Sequence, residues 1–206
     1  MKHNLSVRVA YPLLKLFVRV MMFLLGPLRV RGRGNVPQSG GLLILSNHIS
    51  DIDPPVVQIS CKRPIHFMAK SELFEIPVLG RLLRWFHAFP VKRGEPDRAA
   101  IKHAIELLRL GEAVCIFPEG QLSEDGLLQP LLPGAALIVR KAGVPVICVG
   151  LRNTNRVMPY RRVVPRPGFC FTHAEWGDVR TFAGDASAED VIGWATAELR
   201  RLTHQG

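Results

Sequence analysis

Short apolar runs alternate with helical patterns along most of this chain, and no other feature restricts its fold as strongly. Leu42 to Ser46 reads as a buried strand, and Pro54 to Cys61 as a short helix with Asp53 at its N-cap. His66 to Ala69 fits a strand. Asp97 to Leu110 fits a helix capped by Asp97, with Ile101, Ala104, Ile105 and Leu108 facing inward and Gly111 ending it. Ala113 to Phe117 is a strand, Gly134 to Lys141 a helix and Val144 to Gly150 a further strand. Ser187 to Leu202 is a helix, with Ser187 and Asp190 spaced as a capping box. Strands alternating with helices imply an α/β fold, a single layered domain with a largely parallel mixed sheet flanked by helices. The 206 residues suffice for one such core.

Charge is unevenly distributed. The formal net charge is +10, and no Asp or Glu precedes Asp51. Lys15 and Arg19 interrupt an apolar stretch from Tyr11 to Leu28 that Gly26-Pro27 closes. Basic residues threaded through an apolar run favour lipid over nucleic acid, and no zinc-finger spacing or RNA-binding aromatic signature is present. On a helix Lys15 and Arg19 share one face, while Leu14, Phe17, Val18 and Met21 line another. Two arrangements follow: an amphipathic helix lying in a membrane interface, basic side toward the head groups, or a helix packed on the domain. In the first, residues 1–28 form a membrane-interface segment before a domain at 29–206, and Lys15, Phe17, Arg19, Met22 and Phe23 contact the membrane. The four cysteines form no C-x-x-C pair, so a zinc or redox motif is not expected. Reduced thiols in a cytosolic compartment fit the pattern.

The chemistry concentrates where the first strand ends, at Ser46-Asn47-His48-Ile49-Ser50-Asp51-Ile52-Asp53-Pro54. Ligands collect at the carboxyl ends of strands in open α/β sheets. On one continuous helix His48 and Asp53 would lie about 140° apart, so they meet only across a turn, which Pro54 favours. A carboxylate on one imidazole nitrogen fixes the tautomer and leaves the other nitrogen to take a proton. The alternative is a strand-end histidine beside a capping aspartate.

Three further blocks accompany this one. They are Lys70-Ser71-Glu72 followed by Phe89-Pro90-Val91-Lys92-Arg93-Gly94, then Phe117-Pro118-Glu119-Gly120, then Val144-Pro145-Val146-Ile147. In this order the blocks resemble the PlsC-type glycerolipid acyltransferases, which include the 1-acylglycerol-3-phosphate and lysophospholipid acyltransferases. The resemblance runs from about Arg29 to about Leu151. It implies that His48 is the general base and Asp53 its orienting partner. It also implies direct acyl transfer from acyl-CoA or acyl carrier protein to a lipid hydroxyl, with no metal or cofactor. Asn47, Arg93, Glu119 and Gly120 then belong to substrate binding, Arg93 on the acceptor's phosphate, and Lys70 and Ser123 to weaker donor or lipid contacts. Membrane lipids are the expected partners, at the cytoplasmic face of the cell membrane in a peripheral or monotopic setting. The expected product is phosphatidic acid, made from 1-acyl-sn-glycerol-3-phosphate.

The third block departs from the pattern F-P-E-G-T-R-S of the phosphatidic-acid-forming enzymes. Gln121 and Leu122 replace the Thr-Arg pair, and Leu122 cannot pair with a phosphate. Phe117 to Ala136 is similar to bacterial acyl-glycerophosphoethanolamine acyltransferases, so a lysophosphatidylethanolamine-like or lyso-ornithine lipid acceptor stands as the alternative. Cys148 replaces a second proline of the fourth block. A basic group at Arg152, Arg156, Arg161, Arg162 and Arg166 follows, either a solvated loop or a contact for head groups or donor phosphates. A serine hydrolase is excluded by the lack of G-x-S-x-G. The rival from another class is a non-catalytic lipid-binding protein, against which His48, Asp53 and Glu119 stand together.

Overall fold

The computed structural model describes residues 5–92, 97–162 and 164–205. Seven strands form one sheet in the order β1-β7-β6-β2-β5-β3-β4. They are β1 (Leu28–Arg31), β2 (Leu42–Ser46), β3 (His66–Lys70), β4 (Ala88–Val91), β5 (Ala113–Ile116), β6 (Val146–Arg152) and β7 (Thr172–Trp176). Strands β4, β3, β5, β2 and β6 run parallel. β7 is antiparallel to β6, and β1 is parallel to β7, so the sheet is mixed at that end.

Helices cover both faces: α1 (Leu5–Leu25), α2 (Asp53–Ser60), α3 (Pro77–Trp85), α4 (Arg98–Arg109), α5 (Gly134–Ala142), the one-turn α6 (Thr154–Val157) and α7 (Ala188–Thr203). Every residue of β2 and β5 is buried. Strands covered on both faces lose hydrophobic alternation and read as continuous apolar runs, which is why these two were visible in sequence. Their side chains still alternate in space. Leu42 and Ile44 enter a core with α1 and α2, while Leu43 and Leu45 enter one with α4, α5 and α7.

The expected caps form. Asp97 accepts the Ala100 amide at 2.9 Å, and Ser187 and Asp190 make a reciprocal capping box. Three strands were not anticipated. β7 buries only alternate residues, β1 covers alternate ones only in part, and β4 lies within a motif that carries Pro90. α3 was not anticipated either; it starts at Pro77, in the first-turn position that proline favours. The inner line of α4 is Ala100, Ala104, Leu107 and Leu108, with Ile101 and Ile105 only partly covered. α4 packs on α5 as well as on the sheet, and Ala104 and Leu108 of the expected line are fully inside while Ile101 and Ile105 pack at its margin.

The N-terminal helix corrects two expectations. α1 packs on α2 and α3, and its Val18 and Met22 enter the core. α1 is thus packed on the domain, and Met22, expected at the membrane, is 1% exposed. Lys15 also turns inward: half-buried, it donates to the Cys61 carbonyl at 3.3 Å. The outward stripe is instead Leu13, Leu16, Phe17, Val20, Phe23 and Leu24, each at least half exposed. Arg19 stays exposed. Among the described residues no helix is long and apolar enough to cross a membrane.

α7 closes over β6 at Gly150. A Cβ there would lie 2.5 Å from the Leu202 Cβ and 2.8 Å from its carbonyl carbon. Gly150→Ala is expected to push α7 off the sheet, costing about 2 kcal/mol and lowering Tm by roughly 4–8 °C in a thermal melt.

Candidate active site

β2 delivers the chain to the carboxyl edge of the parallel strands, between β5 and β6. Regular β2–β6 pairing ends at Ser46 and Val149. Asn47 extends it with its side chain: Nδ2 donates to the Leu151 carbonyl at 3.0 Å, and Oδ1 accepts the Leu151 amide at 2.7 Å. Asn47 is fully buried and its amide is committed to the backbone. Asn47, expected among the substrate-binding residues, thus fastens the turn to β6.

Past Asn47 the chain turns into α2, and Asp53 meets His48 across that turn. Asp53 Oδ2 accepts from His48 Nδ1 at 3.1 Å, from the Ile49 amide at 2.7 Å and from the Ser50 amide at 2.8 Å. The carboxylate does not cap α2. The N-cap is Ile52, without a side-chain bond, and Asp53 is the first helical residue. An N-cap side chain accepts from the amides two or three residues on. For a cap at 52 those positions are Pro54 and Pro55, which carry no N–H. For a cap at 53 the single free amide, that of Val56, already donates to the Ile52 carbonyl at 3.1 Å. With nothing to cap, the carboxylate turns back onto the amides of the preceding turn. Asp53 Oδ1 is buried with no partner among the described residues.

The loop after β5 grips His48 from the other side. The His48 amide donates to Glu119 Oε1 at 2.6 Å, and the Ser123 amide donates to the His48 carbonyl at 2.8 Å. Glu119 Oε2 accepts the Gln129 amide at 2.8 Å. The imidazole stacks on Phe117, with ring centroids 4.1 Å apart and planes 24° apart. Glu119 and Ser123, expected at substrate or donor, are buried, and here the Glu119 carboxylate and the Ser123 amide hold the His48 backbone, while Ser123 Oγ donates to Asp125 Oδ1 at 2.9 Å. Burial pushes the Glu119 carboxyl above its ordinary value, against the pull of its two amide donors. Gly120 turns the loop at φ +73°, and a Cβ there would lie 2.5 Å from Leu132.

Two participants escaped the sequence reading. Phe117 was visible as part of a motif, but its place against the ring depends on β2 and β5 being neighbours. Ser50 donates from Oγ to the Met158 carbonyl at 2.7 Å, tying the turn to the segment after β6. Lys70 ends β3 at the same sheet edge, half-exposed and 3.3 Å from Glu72. Arg93 lies outside the described residues. Leu122 is partly buried, and Cys148 is buried within β6. Among the described residues no group of three or more His, Cys, Asp or Glu is arranged to hold a metal ion. The arrangement presents one imidazole with Nδ1–H held by a carboxylate, which leaves Nε2 to exchange a proton with a bound hydroxyl.

The chain matches the family model described as Acyltransferase over residues 27–152, more than half its length. It is 33% identical over 148 residues to the chloroplastic 1-acyl-sn-glycerol-3-phosphate acyltransferase BAT2 of Brassica napus, covering 70% of this chain and 43% of that protein. It is 34% identical over 131 residues to the 1-acyl-sn-glycerol-3-phosphate acyltransferase of Bacillus subtilis, covering 63% and 65% respectively. The chain thus spans less than two thirds of either relative. Its fold resembles the crystal structure of the 1-acyl-sn-glycerophosphate (LPA) acyltransferase PlsC from Thermotoga maritima, with a TM-score of 0.81 at 23% identity, over 97% of this chain and 81% of that one.

Glu119→Gln tests the clamp on His48. A carboxamide must turn its NH2 toward one of the two backbone donors, losing a hydrogen bond and opposing two N–H groups. A loss of about 1–3 kcal/mol is expected in urea denaturation. An unchanged midpoint would show that the two bonds do not hold the loop.

Proposed function

The chain belongs to the acyltransferase family, of the PlsC type, and from that premise we propose that it transfers a fatty acyl group from a thioester donor to the free hydroxyl of a lysophospholipid. The observation that carries this reading is the His48–Asp53 pair, fixed at the carboxyl edge of the sheet. In the proposed step His48 Nε2 takes the proton of the acceptor hydroxyl as its oxygen attacks the thioester carbonyl. The C–S bond then breaks, and the departing thiolate takes the proton from the imidazolium. Asp53 holds Nδ1–H, fixes the tautomer and stabilises the transient cation.

Transfer without an acyl-enzyme is supported by the fate of the nearby nucleophiles. The Ser50 hydroxyl is bonded to Met158, and Cys115 is buried within β5. The Ile49 and Ser50 amides are taken by Asp53, so the oxyanion draws its donors from elsewhere. Acyl-CoA or acyl carrier protein supplies the acyl group, and Arg93 pairs with the acceptor's phosphate. The outward apolar stripe of α1 supports a setting on a membrane surface, and the cytoplasmic face is the one proposed.

1-Acyl-sn-glycerol-3-phosphate is the proposed acceptor. A second reading rests on Leu122: without an arginine there, a lysophospholipid with a larger head group, or a lyso-ornithine lipid, becomes the acceptor. Labelled acyl-CoA or acyl carrier protein, offered with a panel of lyso-lipids in vesicles, separates the two. Product from every acceptor except lysophosphatidic acid would replace the first reading with the second. His48→Ala is expected to lower acyl transfer by about 10²–10⁴-fold while vesicle binding persists. A wild-type rate in that variant would remove the general base from the mechanism.

A further inference from the structure

The stretch from α6 to the start of β7 has no part in the chemistry above, yet its surface is unusual. From Asn153 to Thr172 it contains no Asp or Glu, while Arg156, Arg161, Arg162 and Arg166 all fall within it. Among the described residues none of these four arginines pairs with a carboxylate. Phe169 is 97% exposed and Val164 72% exposed. Phe169 also sits at φ +49°, a conformation that bulky side chains avoid, and gains no packing in return. An open hollow of about 500 Å³ lies between Arg156, Arg166, Pro167, Gly168 and Phe169.

This loop is fastened to two other features. The Gly168 amide donates to the Leu25 carbonyl at 2.6 Å, and the Thr172 hydroxyl donates to the Gly26 carbonyl at 2.9 Å. Phe171 lies under the Arg29 guanidinium at 3.5 Å. These contacts seat the loop at the end of α1, where the outward stripe finishes with Phe23 and Leu24. At its base, the Met158 carbonyl accepts from Ser50 in the His48 turn.

We propose that this loop, residues 156–162 and 164–171, is a second membrane-docking element: Arg156 and Arg166 take phosphates of anionic phospholipids while Phe169 enters the layer beneath them. The argument is charge complementarity. Unpaired guanidinium groups around a fully exposed aromatic match a negatively charged head-group layer over an apolar one. The surface continues that of α1, and through Met158 and Ser50 it holds the His48 turn against the lipid. The inference rests on the membrane setting proposed above, but its readout is binding, not turnover.

The test is co-sedimentation of the full chain with phosphatidylcholine vesicles, with and without phosphatidylglycerol. Phe169→Asn, which tolerates the positive φ, is expected to weaken binding about tenfold or more on phosphatidylglycerol-containing vesicles. Arg156→Gln with Arg166→Gln is expected to weaken binding roughly 20-fold on those vesicles and to leave pure phosphatidylcholine unaffected. Phe17→Ala with Phe23→Ala, on α1, serves as the comparison. Thermal melts superimposable on wild type exclude misfolding. If the α1 variant detaches and both loop variants bind as wild type does, the loop proposal fails and the membrane setting stands. If the arginine variant keeps its vesicle binding and raises the KM for acyl-CoA, these arginines serve the donor's phosphates and the proposal is overturned. A wild-type chain that binds no vesicles removes both the proposal and the membrane setting. Acyl transfer to lysophospholipid dispersed in detergent would still stand apart from either.

Discussion

One carboxylate oxygen, Oδ2 of Asp53, accepts from the His48 ring and from the amides of Ile49 and Ser50, and the geometry of the site depends on it. A fully buried carboxylate is costly unless hydrogen bonds replace its water. Three donors do so for Oδ2, while Oδ1 is buried with no partner among the described residues, and the three bonds also bend the chain between β2 and α2. The prolines at 54 and 55 contribute by omission. They remove the amides a capping aspartate would ordinarily satisfy, so the side chain is left to organise the turn behind it.

The imidazole is held from four directions. Asp53 takes one ring nitrogen and Phe117 the ring face, while Glu119 and Ser123 take the backbone amide and carbonyl. Two of these residues looked like substrate contacts, and so did Asn47. Each is tied to the protein's own backbone: Asn47 to Leu151, Glu119 to the His48 and Gln129 amides, and Ser123 through its amide to the His48 carbonyl. The Phe-Pro-Glu-Gly block thus immobilises His48. Such support is what a proton transfer requires, since a small displacement of the base lengthens every productive hydrogen bond.

α1 shows the same interplay between chemistry and packing. The helix is amphipathic, but its solvent face is the apolar one. Lys15 uses its long stem to reach a carbonyl beneath the helix, and Val18 and Met22 fill the core beside it. Six large apolar side chains remain outside, more than a surface in water ordinarily gathers in one stripe. Charge does not divide this helix into inner and outer faces: Lys15 lies inside and Arg19 outside, and apolar side chains line both faces.

Local patterns carried much of the fold. β2 and β5 declared themselves as unbroken apolar runs, and the caps at Asp97 and Ser187 as side-chain spacings, because each needs only its neighbours in the chain. The pair of His48 and Asp53 was legible on the same terms, being five residues apart across a turn that proline favours. The strands β1, β4 and β7 were not legible, since their short, half-polar segments become strands only beside partners already in place. Nor was the clamp on His48. Glu119 and Ser123 lie more than seventy residues downstream, and they reach the histidine because β5 pairs with β2 in parallel, both ending at one edge. The sequence by itself determined that His48 and Asp53 can meet across a turn, and the layered α/β plan, both legible from residue type and local spacing. Tertiary structure alone decided what Asn47, Glu119 and Ser123 hold and which face of α1 is outside. Strand order and burial come from contacts between distant segments, which no local pattern encodes.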